Sequence, residues 1–118
     1  VEHHRGEAAK ALALFKEALG LQYEMNNQAG VAECLAGIAA VLAVRGDPRH
    51  SALLLGAAEA LREPVDAVQW PANRLEYNST MEHLRQSLEP GALAAACEEG
   101  RQMTLEQAAA RARRQEIL

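Results

Sequence analysis

Aromatic residues are nearly absent from this 118-residue chain, which has only Phe15, Tyr23, Trp70 and Tyr77. β-Branched residues are few as well, so strands have little to build on and a sheet-based core is excluded. The two cysteines, Cys34 and Cys97, stand 63 positions apart, each within an apolar helical run. That spacing offers neither a metal pair nor a staple, and it reads as two small buried thiols in a reducing compartment. The longest uncharged run, Cys34 to Val44, is too short to cross a bilayer, and no secretory pattern opens the chain. Both absences predict a cytoplasmic protein.

Charge of one sign is missing too. Twelve basic and sixteen acidic residues are interspersed, with a net charge of −4, which argues against direct nucleic-acid binding. Arg111, Arg113 and Arg114 cluster near the C-terminus, where cations complement the end of a helix dipole. Catalytic patterns do not occur: there is no phosphate loop, no His-Glu-x-x-His, no paired cysteine ligands and no Gly-x-Ser-x-Gly turn. Glu98-Glu99 and Glu59-Arg62-Glu63 read as exposed helix charges. His50 and His83 fall in separate helices, and His3-His4 has no third ligand in view. The expectation is a protein that is not an enzyme and holds no metal or cofactor.

What abounds is Ala, Leu, Glu, Gln and Arg, all good helix formers, in a chain long enough for one domain that buries about two-thirds of its unfolded surface. The fold class is all-α. Its organising stretch runs from Gly30 to Pro48: Val31, Leu35, Ile38 and Leu42 share one helical face, Gly46 supplies a helix stop, and Asp47-Pro48 supplies an N-cap and a first turn. A helix from Gly6 to about Met25 precedes it, with Ala8, Ala11, Leu12, Phe15, Ala18 and Leu19 as its apolar stripe. Asn26-Asn27 separate that helix from one at about Gln28 to Arg45. A third runs from Pro48 to about Arg62 with Leu54, Leu55, Ala58 and Leu61 inward.

After an irregular connection at 63–70, a fourth helix covers about Pro71 to Leu88 with Tyr77, Met81, Leu84 and Leu88 as its stripe. Pro90 opens a fifth that Gly100 is expected to end, with Leu93, Ala96 and Cys97 inward. Thr104 and Gln107 form a capping box for a sixth, from Leu105 to about Glu116. The chain thus divides into a leader (1–5), repeat helices (6–62), a connection (63–70) and C-terminal helices that pack on the repeat (71–118). The missing initiator Met suggests one domain cut from a longer protein.

A shift of forty residues lays Gly6-Glu7 on Gly46-Asp47, Leu14 on Leu54, Phe15 on Leu55, Ala18 on Ala58 and Leu21 on Leu61, which is an internal repeat. Gly6-Glu7 with Ala11, Phe15 and Ala18 resembles the second helix of a tetratricopeptide unit; Ser51, Leu55 and Ala58 depart from it slightly. The first helix carries Leu35, Ile38, Ala39 and Leu42 where that family prefers an aromatic, Leu, Gly and Tyr, and the repeat is longer than the usual one of about 34 residues. Longer helices of this kind are similar to the C-terminal tetratricopeptide-like regions of bacterial signal-transduction ATPases of the STAND class and of large LuxR-type transcriptional regulators. The runs Leu53 to Arg62, Pro71 to Arg74, Tyr77, Glu98 to Arg101 and Met103 to Ala108 carry that likeness.

The resemblance implies a right-handed stack of about six helices in antiparallel hairpins, acting as a non-catalytic protein-interaction or regulatory module. It would form the C-terminal part of a larger bacterial regulator and meet a protein partner or other domains of the parent chain. By the family alignment the groove positions are Glu33, Ala36, Gly37, Ala40 and Ala43, whose mostly small side chains either admit a partner helix or are covered by this domain itself. Phe15 and Leu19 mark an end of the stack that self-association could cover, making a homodimer. Two rival readings stand beside this one: a small-molecule effector sensor with a pocket at Trp70, Arg74 and Tyr77, and a purely structural scaffold. Trp70 before Pro71 is either packing at a helix entry or a stacking platform.

Overall fold

The computed structural model describes the backbone of residues 2–62 and 71–114 and the side chains of 7–61 and 78–114. Every element among them is an α-helix: α1 (Glu2–Glu24), α2 (Gln28–Arg45), α3 (Pro48–Arg62), α4 (Pro71–Ser87), α5 (Pro90–Arg101) and α6 (Leu105–Arg113). The protein is an all-α fold of helical hairpins, as its composition requires.

Local chemistry explains the breaks. Asn26 takes a positive φ of 56°, a conformation that Asn tolerates, and the Asn27 side chain then caps α2 by accepting from the Gly30 amide at 3.1 Å. Gly46 adopts φ 90° at the end of α2, and the Asp47 amide donates back to the Leu42 carbonyl at 2.9 Å, closing the helix. Asp47 starts α3 at once, its carboxylate accepting from the His50 amide at 3.4 Å while Pro48 fills the first helical position.

The corresponding corner at Gly6 does not break the chain. Residues 1–5, expected as an unstructured leader, are helical from Glu2, and α1 passes through Gly6. Glu7 and Ala8 stand there where Asp47 and Pro48 stand in the second copy, so no short capping side chain and no proline restart a helix. One glycine costs a helix about 1 kcal/mol and does not stop it.

The core is built around α2, which is packed by α1, α3, α4 and α6. Val31, Leu35, Ile38 and Leu42 point into it, joined by Leu12 and Leu19 of α1, Leu84 of α4 and the small residues Ala108, Ala109 and Ala112 of α6. Taken over its whole length α2 is long and apolar enough to cross a membrane, beyond what the uncharged run alone indicated, yet more than half of it is buried inside the protein. Its apolarity is that of a core helix touched on several sides.

Helix α3 departs from the expected single inward stripe: Ser51 to Ala58 is buried without interruption. Its two broad contacts are with α2 and α5, not with the α4 that follows it in the chain. The α3–α5 crossing is as close as backbones allow. A Cβ on Gly56 would run into the Cys97 carbonyl oxygen and lie 2.9 Å from Cys97 Cα; one on Gly100 would meet the Leu53 carbonyl oxygen and lie 2.9 Å from the Ala57 nitrogen. Gly100 therefore does not end α5, which continues to Arg101; it is there to admit α3. Arg101 reinforces the crossing by donating to the Glu59 carboxylate at 2.6 Å. The Thr104–Gln107 capping box forms, with Thr104 Oγ1 accepting from the Gln107 amide at 3.1 Å and Gln107 Oε1 from the Thr104 amide at 3.0 Å. Helix α6 returns to α1, where the Arg113 guanidinium lies 5.9 Å from the Tyr23 ring centroid.

Candidate interaction surface

The seven positions singled out on α1 and α2 do not form one open groove. Leu19 is completely buried and Ala43 nearly so, placing both in the core. Gly37 is covered by Phe15: a Cβ there would stand 2.5 Å from Cζ and 2.7 Å from Cδ1 of that ring. The half-buried Phe15 thus seals the middle of the α2 face from inside the same chain. What stays reachable is Glu33, exposed, with Ala36 and Ala40, both half-buried, beside it. This face can take a close-packed helix edge, because alanines let a backbone approach and Glu33 offers a charge at the rim. Leu19 cannot mark an open end, since nothing of it reaches solvent.

The other predicted site is out of view. Trp70 lies outside the described residues, as does the rest of the expected connection at 63–70, and Arg74 and Tyr77 lie on α4 with side chains outside them.

Three features escaped the sequence reading. The first is an apolar stripe on the outer side of α1: Leu14 is 66%, Leu21 56% and Met25 65% exposed. Spacings of seven and four signal a face, but the repeat alignment equates Leu14 and Leu21 with inward positions of α3. The second is an open groove of about 320 Å³ where α5 meets the start of α3 and the end of α4, lined by Arg49, Leu88, Ala92, Ala95, Ala96 and Glu99. No sequence signal points to it, because it exists only through tertiary packing. The third is a partner for His50, whose Nδ1 lies 2.8 Å from Asp47 Oδ2. That pair is three residues apart in one helical turn, and its carboxylate is already occupied in capping α3.

Both thiols sit in surroundings that hold them protonated. Burial pushes the Cys34 thiol up, with the Glu33 carboxylate adding to it; burial and then Glu59 raise Cys97, against an opposing pull from Arg101. Neither is prepared to act as a nucleophile. Among the described residues no three His, Cys, Asp or Glu side chains gather as a metal cluster would. Set against protein-family models, curated proteins and solved structures, the chain matches none.

Proposed function

We propose that this chain is a non-catalytic protein-interaction or regulatory module, the tetratricopeptide-like C-terminal part of a larger bacterial signalling or transcriptional regulator working in the cytoplasm. The reading rests on the motif resemblance and on one structural observation. Helices α1, α2 and α3 pack in succession through a repeated unit and leave Glu33, Ala36 and Ala40 accessible along α2. Its partner is a protein or another domain of the parent chain. A photo-crosslinking residue at Ala36 or Ala40, compared in the source cell with one at the exposed Arg85, tests it. The expected outcome is an adduct of fixed mass from the α2 positions and none from Arg85. Equal labelling at all three sites, or none at any, sinks it.

Effector sensing is the second reading, favoured by the groove between α3 and α5, where an apolar alanine floor carries Arg49 and Glu99. A metabolite at a hundred times its dissociation constant adds about 2.7 kcal/mol to stability, so a thermal-shift screen finds it. A hit abolished by Ala95→Trp, which fills the groove, supports sensing; a flat screen removes it.

A further inference from the structure

Helix α1 is apolar on two sides, and only one of them is used inside the chain. Leu12 and Leu19 are buried in the core, whereas Leu14 and Leu21 lie on the far side in solvent. The outer residues have a heptad order. The exposed Leu14 and Leu21 occupy one seam position and Ala11, Ala18 and the exposed Met25 the other, the two alanines half-buried at the border with the core, against which Ala18 also packs; Lys10, Glu17 and Glu24 fall seven apart along one flank. On the opposite flank Phe15 and Gln22 are turned to α2, against Gly37 and Gly30.

The repeat shows what such a seam does. Its counterparts in α3 are Ser51, Leu54, Ala58 and Leu61, of which the first three are fully buried. Ser51 donates to the Ala39 carbonyl of α2 at 2.6 Å, and Gln28 of α2 donates to the Leu61 carbonyl at 2.8 Å. In α3, then, this seam packs against a helix. The flank differs in the same sense: where α1 has the exposed Glu17, α3 has the buried Ala57.

We propose that α1 pairs antiparallel with α1 of a second copy of this chain, seam to seam, about a two-fold axis near Glu17. A two-fold perpendicular to the helices brings the same flank of both together in reverse order. Leu14 then lies over the partner's Ala18 and Leu21 over the partner's Ala11, large on small in each layer. On the flank, Lys10 meets the partner's Glu24 twice, by symmetry. Glu17 meets the partner's Glu17, the single like-charge approach in this register. The self-complementary Lys10 and Glu24, placed symmetrically about Glu17, identify the occupant as a second copy. This pairing deepens the interaction-module reading and rests on it, adding a partner and a surface on α1.

Light scattering of the 118-residue chain over a concentration series tests the pairing. The wild type is expected to move from monomer to dimer. Leu21→Glu should leave a monomer at every concentration with helical content unchanged, since Leu21 lies outside the core. Lys10→Glu should weaken the dimer about tenfold, and adding Glu24→Lys should restore it to within about threefold, because both contacts are exposed ion pairs. Glu17→Gln should tighten it. A wild type that stays monomeric, a dimer indifferent to Leu21→Glu, or a double charge swap no better than Lys10→Glu alone would each overturn the proposal. A monomer that still gives the Ala40 adduct removes the pairing and leaves the broader reading standing; loss of both removes the reading as well.

Discussion

Leu14 of α1 is two-thirds exposed, while Leu54, forty residues on and at the same place in α3, is completely buried. The two helices share a repeat and differ in their neighbours: α3 lies between α2 and α5, and α1 has α2 on one side with α6 touching its end. A repeat pattern specifies which face of a helix can take a partner. Whether that face is filled depends on what surrounds it, and the flanks record the answer. Where α5 crosses α3 at Gly56, α1 carries Lys16, so no helix could approach that side of α1 as closely.

Paired substitutions sharpen the contrast. Leu54→Ala should cost about 2–5 kcal/mol in chemical denaturation by opening a cavity between helices, whereas Leu14→Ala should change monomer stability by about 0.5 kcal/mol at most. Equal losses would mean that α1 is covered after all. Next come the glycines. Gly56→Ala or Gly100→Ala should cost about 2–3 kcal/mol, since each new methyl meets a backbone carbonyl that cannot move alone. Gly20→Ala meets only the tip of Arg113, 2.8 Å away at Nη2, and the better helix propensity of Ala offsets the adjustment to within about 1 kcal/mol. Ser51→Ala loses a buried hydrogen bond to α2 and should cost about 1 kcal/mol, while Ala11→Ser, its counterpart in α1, should cost a few tenths.

The smallest effect is a pH signature on the covered side. The thiols of Cys34 and Cys97 are raised above their ordinary value of 9.0, so the folded state holds their protons more tightly than the unfolded one. Their contribution is complete below that value and is lost as pH rises through it toward the raised folded values. Urea midpoints should therefore fall on the alkaline side, and Cys34→Ala with Cys97→Ala should flatten the fall. An unchanged slope in the double variant would assign the alkaline loss to other groups.

Much of the fold was legible because its boundaries are written in side chains. Asn27, Gly46, Asp47 and Thr104 each perform locally the capping that their position announces. The errors share a cause. Gly100 looks like a stop and is a contact, and Ser51 to Ala58 looks like one stripe and is buried throughout. Periodicity describes one helix against an average interior; it holds no information on which later helix arrives at the second face. The surface was harder for the same reason. Gly37 reads as a groove floor until Phe15 is placed on it, and the groove beside α5 has no linear signature at all.

The centrality of α2 also bears on how the chain is made. Of the described helices that touch it, α3, α4 and α6 all emerge later in synthesis, and α1 alone among them precedes it. A growing chain therefore carries one of its most apolar segments half covered until α3 follows, a period in which exposed hydrophobic surface invites aggregation. The prompt restart of helix at Asp47-Pro48 shortens that period, because α3 needs no long loop to reach it. Slowing the ribosome within residues 48–62 should lower soluble yield more than the same pause placed within α6.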